Sequence, residues 1–256
     1  MMDIQLNSQL GNGYKSNSQK MRVITEAWAG NNVFCPYCGS SVSHFENNRP
    51  VADFYCRECA EEYELKSLGR ALGDKVNDGS YEKLIKRIKS ANNPNFFFLH
   101  YDERSLKVKD LIIVPKYYFS PSIVEKRNPL RAGARRAGWV GCQILLGQIP
   151  SDGRIDVIKD EIPYPKRDVI EKLYRTKFVR DFDIESRGWV LDIMTCINRL
   201  EKSMFSLSEM YGFESFLADK HPMNKNIRAK IRQQLQVLRD KGFIIFEGRG
   251  TYRKLM

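Results

Sequence analysis

Residues 50–67, PVADFYCRECAEEYELKS, place an aspartate before a Cys-x2-Cys pair and a Glu-x-Lys triplet after it. The segments VADFYC and EYELKS both alternate aromatic or β-branched residues with polar ones, which is the pattern of a half-buried β-strand. We therefore predict two strands joined through the cysteine pair. The acidic residues are either a catalytic set or the solvated flanks of a metal-binding turn, and the pairing of the strands decides between these two interpretations.

A second Cys-x2-Cys pair lies upstream of this hairpin. Seventeen residues separate Cys35 and Cys38 from Cys56 and Cys59, a spacing typical of four-cysteine zinc sites. Each pair can deliver two thiolates to a tetrahedral ion from one tight turn, and Gly39 suits the backbone of such a turn. No ligand position is evidently left open for a substrate. We therefore predict a structural Zn²⁺ site, with a redox dithiol as the alternative.

Three hairpin residues are candidates for phosphodiester chemistry. Glu64 and Lys66 share one face of their strand, and Leu65 points to the other. If the two strands pair, Asp53 can reach the face of Glu64, and the zinc turn would hold the carboxylates in place. Two carboxylates suit Mg²⁺, and the lysine could orient or help deprotonate an attacking water. The pattern is weak by itself, because any exposed strand can read Glu-Leu-Lys.

The rest of residues 1–181 indicates a sheet with flanking helices. Met21, Ile24 and Trp28 recur at helical spacing. Ser80 precedes a second amphipathic helix, whose predicted outer face carries Lys83, Lys86, Arg87 and Lys89. The runs NFFFLHY, DLIIVPKYYF, WVGCQILL and GRIDVIKD are predicted to be strands. These elements predict an α/β (α+β) domain with a mixed sheet.

Residues 128–141, NPLRAGARRAGWVG, have the composition of a basic loop with one large flat side chain. Arg131, Arg135 and Arg136 are candidates for phosphate contacts, and Trp139 for stacking or groove insertion. The alternative is that Trp139 only anchors the loop to the core.

The charged stretch from Lys159 to about Asp183 is interpreted as a connector, with a domain boundary near residue 182. Beyond it we predict a helix with Trp189 in the core, a second helix that opens with a capping box at Ser206, a third helix and a terminal hairpin. These are the parts of a winged helix over residues 182–256, whose third helix enters the major groove. Candidate DNA-binding residues here are Arg228, Arg232, Gln233, Gln236 and Arg249. Winged helices that bind proteins are the alternative.

Charge favours nucleic acid as the partner of the second domain. The chain of 256 residues carries a net charge of +11, and the stretch from Pro222 to Met256 has nine basic and two acidic residues. A solvated basic face is the alternative to a polyanion-binding surface. No apolar run approaches the roughly 20 residues that span a bilayer, and the first residues lack the order of a secretory signal. We therefore expect a cytoplasmic protein with reduced cysteines, of which Cys142 and Cys196 are buried thiols.

The sequence closely resembles the DpnI type of methyl-directed restriction endonuclease. The resemblance rests on YKSNSQK (14–20), HFENNRPVADFYC (44–56), EYELKS (62–67), NNPNFFFL (92–99), ARRAGWVGC (134–142), SRGW (186–189), KIRQQLQVLRDK (230–241) and GRGTYRKL (248–255). It spans nearly the whole chain in the same order. One departure from the wider nuclease superfamily is that Pro50 and Asp53 are not adjacent.

The resemblance implies a PD-(D/E)xK nuclease domain followed by a winged helix, and cleavage of both strands of GATC when its adenines are N6-methylated. It identifies Asp53, Glu64 and Lys66 as the catalytic set and the four cysteines as the zinc site. Mg²⁺ would be held by Asp53, Glu64 and the Leu65 carbonyl, with Lys66 positioning water. Trp139 is the candidate for contact near the methylated adenine, and a monomer is expected. The alternatives are a zinc-containing winged-helix regulator without catalysis and a nuclease of different specificity.

Overall fold

A computed structural model describes residues 2–45, 52–90 and 93–255, which form seven α-helices and thirteen strands. The helices are α1 (Asn17–Asn32), α2 (Tyr81–Lys89), α3 (Lys166–Thr176), α4 (Ile184–Arg199), α5 (Leu207–Tyr211), α6 (Glu214–Lys220) and α7 (Ile227–Asp240). The strands are β1 (Val42–His44), β2 (Phe54–Cys56), β3 (Glu62–Leu68), β4 (Val76–Ser80), β5 (Asn95–Asp102), β6 (Lys107–Val114), β7 (Val124–Lys126), β8 (Gly141–Ile144), β9 (Ile155–Lys159), β10 (Ile162–Pro163), β11 (Met204–Ser206), β12 (Ile244–Gly248) and β13 (Thr251–Lys254).

A seven-stranded mixed sheet in the order β1-β2-β3-β5-β6-β9-β10 forms the centre of the first domain. Strands β3 and β5 run parallel and the other neighbours antiparallel. Because β5 is buried on both faces, its side chains alternate between two cores: Phe96 and Phe98 enter one, Phe97 and Leu99 the other. The predicted mixed α+β class is confirmed.

Helices α1 and α3 cover the face that carries Phe97 and Leu99, and their buried residues include Ile24, Trp28 and Leu173. Part of the predicted connector from Lys159 to Asp183 is therefore wrong. It contains α3, because Val169 and Leu173 recur at helical spacing and pack under the sheet.

The other face packs against α2 and a small sheet in the order β4-β8-β7. Strand β4 pairs with β8 with a register shift between Asp78 and Ser80. The predicted basic segment 128–141 forms most of the loop between β7 and β8 of this small sheet.

The C-terminal domain has α4 to α7 and a three-stranded sheet in the order β11-β13-β12. The capping box at Ser206 is present, with the Ser206 N–H bonded to Glu209 and the Glu209 N–H bonded to the Ser206 hydroxyl. The single helix predicted after it is wrong. Gly212, a weak helix former, separates α5 from α6 with tight turns from Glu209 to Gly212 and from Met210 to Phe213.

The terminal hairpin turns at Arg249 and Gly250, whose φ angles of 47° and 76° are those of a type I′ turn. Strand β11, which the sequence did not predict, adds a third strand by pairing with β13. Helix α7 buries Ile231, Leu235 and Leu238 and leaves the opposite side in solvent, as predicted. None of the helices among the described residues is long and apolar enough to cross a membrane.

One continuous core joins the two domains. Phe178 packs against Phe243 with 6.1 Å between ring centroids. Asn198 donates to Asp152 at 2.9 Å and accepts from Lys254 at 3.0 Å, so one side chain connects the first domain, α4 and the last strand.

Candidate active site and metal centre

The four predicted zinc ligands lie together. The Sγ atoms of Cys35, Cys38, Cys56 and Cys59 are all within 4.8 Å of one another, and the pairs 35/59 and 38/56 are 3.4 Å apart. Four sulfurs at 2.3 Å from a tetrahedral ion would be about 3.8 Å apart. The cluster therefore has the donor chemistry and the size for Zn²⁺. Among the described residues, these four cysteines are the group of potential metal ligands whose donor atoms lie close enough together to hold one ion.

The two Cys-x2-Cys turns of the cluster have the same backbone hydrogen bond and the same left-handed residue after the second cysteine. The N–H of Gly39 donates to the Cys35 carbonyl at 2.7 Å, and the N–H of Ala60 donates to the Cys56 carbonyl at 3.0 Å. Gly39 and Ala60 both have a positive φ, 80° and 57°. The sequence suggested this turn only at Gly39, because an alanine gives no signal for a left-handed residue.

The hairpin pairs as the catalytic interpretation requires. Phe54 lies opposite Tyr63 in the β2–β3 register, and the Asp53 N–H donates to the Tyr63 carbonyl at 2.9 Å. Asp53 immediately precedes β2, and its side chain lines the same cleft as those of Glu64 and Lys66. Asp53 also accepts the Leu65 N–H at 2.7 Å, which fixes its carboxylate against the backbone of β3. Pro50 lies outside the described residues.

Glu64 is held by two cations. Lys66 Nζ is 2.5 Å from its Oε1, and Arg87 Nη1 is 2.9 Å from its Oε2. The prediction that Arg87 lies on the outer face of α2 is therefore wrong. A residue three positions after Leu84 is still close enough to the buried stripe of the helix to turn inward, and the carboxylate on β3 provides its partner.

Lys66 also forms an ion pair with Asp78 of β4. Burial alone would lower the pKa of the Lys66 ammonium, but the charges of Glu64 and Asp78 outweigh it and raise the pKa above its ordinary value. Burial is the main cause that raises the pKa of Asp53, against the Leu65 N–H, which lowers it. The site thus combines a half-buried carboxyl group with a lysine held as an ammonium ion.

Asp53, Glu64 and Lys66 line an open cleft of about 930 Å³ between α1 and β3. Arg22 of α1 reaches into it, with Nη2 3.8 Å from Asp53 Oδ1, and Arg70 also lines it. Hard carboxylate oxygens on one face, open to a cleft, fit a divalent cation such as Mg²⁺. The sequence reasoning missed Arg22, Asp78 and Arg87; only contacts across separate elements identify them.

The basic loop is exposed at its three candidate arginines, Arg131, Arg135 and Arg136. Trp139 is half-buried and lies against Gly141, where an added Cβ would come within 2.8 Å of the ring. The Arg136 guanidinium lies 4.7 Å from the centre of the Trp139 ring. The ring is thus partly anchored and partly accessible, and it carries a cation on one face.

The candidate DNA-binding residues of the second domain lie on its surface. Arg228, Arg232, Gln233 and Gln236 are exposed on α7, and Arg249 is at the hairpin turn. Arg228 is paired with Glu214 at 2.7 Å, and Arg232 donates to the Tyr211 hydroxyl at 2.6 Å. Helix α7 is therefore amphipathic, and its solvent-exposed side is polar and basic.

Two protein-family models match the chain. The model described as the DpnI, Dam-replacing family covers residues 2–182, and the model described as the Dam-replacing HTH domain covers residues 185–254. The first alone matches more than half of the chain, and the second implies that the C-terminal domain binds DNA. The chain therefore belongs to the DpnI-type, Dam-replacing family and is a restriction endonuclease with a C-terminal winged helix-turn-helix domain.

Proposed function

We propose that this protein cleaves double-stranded DNA at GATC sites whose adenines carry an N6-methyl group, by Mg²⁺-dependent phosphodiester hydrolysis. Support comes from the family membership and from one geometric observation: Asp53, Glu64 and Lys66 line one open cleft of about 930 Å³. The division into a nuclease domain, residues 1–181, and a winged helix, residues 182–256, is part of the proposal, as is action as a monomer in the cytoplasm.

In this mechanism Asp53, Glu64 and the Leu65 carbonyl would hold Mg²⁺. When bound, the ion supplies stabilisation of the negative charge that develops on the phosphate oxygens. Lys66 lies on the same face as Glu64 and positions the attacking water for in-line displacement. Arg22 and Arg70, which both line the cleft, have the charge to bind the flanking phosphates.

The hairpin depends on the cysteine cluster for its shape. Cys56 ends β2 only three residues after Asp53, and the Cys56 N–H donates to the Glu61 carbonyl at 2.9 Å, one residue before β3 begins. A closed set of four thiolates has no open position for substrate. We propose a structural role for Zn²⁺, which fixes the register that brings the two carboxylates together.

Selectivity for the methyl group requires apolar contact, and one methyl contributes about 1–3 kcal/mol. The partly accessible ring of Trp139 provides such a surface beside three exposed arginines that bind phosphate. Helix α7 of the second domain would read the site in the major groove through Arg228, Arg232, Gln233 and Gln236, with Arg249 on the adjacent backbone. Reading by both domains would multiply the discrimination.

Plasmid digestion tests the proposal. Plasmid with N6-methylated GATC and the same plasmid without methylation are incubated with the protein, each with and without Mg²⁺. We expect cleavage of the methylated plasmid in Mg²⁺ alone, and none by Asp53→Asn protein that still binds the methylated duplex. Cleavage of both plasmids would indicate a nuclease of different specificity. Binding without cleavage would favour a winged-helix regulator.

A further inference from the structure

The catalytic lysine has a second carboxylate partner that lies outside the hairpin motif. Lys66 is surrounded by Glu64, its neighbour two positions away on β3, and by Asp78, which comes from β4 of the small sheet. The Asp78 side chain is only 7% exposed, and that of Lys66 is 20% exposed. This contact is therefore a partly buried ion pair between two sheets, where a carboxylate is costly unless it is paired.

The two carboxylate partners of Lys66 have different roles in the proposed reaction. Glu64 is proposed to hold a divalent cation, and a carboxylate that does so gives up part of its attraction for the lysine. Asp78 comes from the small sheet and does not line the cleft that contains Asp53 and Leu65, so it can keep its full charge for the ammonium group. We propose that Asp78 is a positioning residue that holds Lys66 in place while Glu64 is engaged with the cation; this inference rests on the nuclease function proposed above.

Asp78 is well fixed for this role. It lies opposite Cys142 in the β4–β8 ladder, and the register shift between Asp78 and Ser80 marks an irregularity directly beside it. Irregularities of this kind re-aim a side chain next to active sites. The Cys142 thiol donates to the Gly79 carbonyl at 3.5 Å, which adds a contact on the same side. The carboxylate is thus carried by paired strands and has little freedom to move away from the lysine.

The ladder also connects this residue to the basic loop. Strand β8 begins at Gly141, two residues after Trp139, and the Val140 carbonyl accepts the N–H of Tyr81, the first residue of α2. Helix α2 carries Arg87, the other partner of Glu64. Asp78 is therefore carried by the small sheet that holds the loop proposed to contact DNA, and Arg87 by a helix whose first residue is hydrogen-bonded to that loop.

The test combines a labelling experiment with cleavage kinetics. Reductive methylation of the zinc-bound protein in the presence of Mg²⁺, followed by mass spectrometry of its peptides, measures the accessibility of each lysine. We expect Lys66 to be modified slowly in the wild type and at least several-fold faster in Asp78→Asn. Glu125→Gln is the matched control: it removes the ion pair of Glu125 with Lys75, 2.7 Å apart, in the same sheet region, and should accelerate Lys75 alone.

Single-turnover cleavage of a methylated duplex then separates a positioning role from a structural one. We expect Asp78→Asn to slow cleavage on the order of 10- to 100-fold, with unchanged duplex affinity, zinc content and melting temperature. Asp78→Glu should recover part of the rate. In a Lys66→Met background the added Asp78→Asn change should alter the rate by less than about twofold, because residues acting through one another are not additive.

Four results would overturn the inference. One is an unchanged rate in Asp78→Asn. The second is a rate loss that adds in full to that of Lys66→Met, and the third is a rate loss that only follows a lower melting temperature. The fourth is Lys66 labelling that does not respond to Asp78→Asn. A wild-type protein that cuts no DNA while its labelling follows the expected pattern would refute the nuclease function and leave Asp78 as a structural partner only.

Discussion

Arg87 reaches from helix α2 to Glu64 and occupies one of its two carboxylate oxygens at 2.9 Å. The Nε and Nη2 atoms of the same guanidinium are buried and have no hydrogen-bond partner. Among the described residues, the Arg87 guanidinium is therefore hydrogen-bonded to Glu64 alone. Since an incoming cation must share that carboxylate with Arg87, the arginine influences how readily the site accepts metal.

Replacing Arg87 by methionine should lower the Mg²⁺ concentration for half-maximal cleavage, because one competitor for Glu64 is lost. The charge change alone favours cation binding, and an effect of about 1 kcal/mol corresponds to roughly fivefold in concentration. Magnesium titrations of initial cleavage rates measure it. Lys83→Met, an exposed lysine on the same helix, is the control and should leave the midpoint unchanged. A higher midpoint in Arg87→Met would mean that the arginine orders Glu64 for the metal.

Loss of zinc should abolish cleavage, although none of the proposed magnesium ligands is changed. Cys59→Ser takes away one of the four thiolates, and we expect native mass spectrometry to show the loss of one bound zinc together with the loss of cleavage. Cys196→Ala, a buried thiol far from the cluster in sequence and held in α4, should retain both. Zinc-free protein that cuts at the wild-type rate would separate the metal from the geometry of the hairpin.

Trp139→Ala should reduce the ratio of affinities for methylated over unmethylated GATC duplex. Loss of one methyl contact of about 1–3 kcal/mol predicts a ratio lower by about 5- to 150-fold. Fluorescence anisotropy without divalent metal gives both affinities. Arg136→Ala tests the neighbouring charge and should weaken binding of both duplexes alike, because a phosphate contact carries no information on the methyl group. An unchanged ratio in Trp139→Ala would exclude the ring from methyl recognition.

The capping box of α5 should make the winged helix sensitive to acid. Hydrogen bonds from Lys202 and from the Ser206 backbone lower the pKa of Glu209 to about 2, from the usual 4.5. Since the folded pKa is the lower one, the stabilisation is fully present above about pH 4.5 and is lost as pH falls from there towards about 2. We expect the melting temperature of wild type to exceed that of Glu209→Gln at pH 6 and the difference to shrink towards pH 3. A difference independent of pH would contradict this.

Much of the fold was predictable because period and spacing reflect local physics. The alternation in EYELKS predicted β3, the two Cys-x2-Cys pairs predicted the cluster, and the apolar stripe of α7 predicted its buried side. The capping box at Ser206 was equally visible. These features depend on neighbours within a few residues, or on a ligand spacing that one metal imposes.

What could not be predicted depends on contacts between distant segments. Arg87 looked like one more solvated base on α2, and nothing near Asp78 in the sequence connects it with Lys66. Helix α3 was missed because its many charges obscured a stripe of only a few buried residues, including Val169 and Leu173. The charge pattern of a segment does not show which of its side chains will find a partner on another sheet.

The side chain of Asn198 joins Asp152 to Lys254, and the apolar cluster around it runs without a break from the first domain into the second. Because the apolar interior is shared between the two domains, we expect them to unfold together. On heating, DNA binding and DNA cleavage should therefore be lost at the same temperature. Limited proteolysis between the two domains should yield no stable fragment of either one.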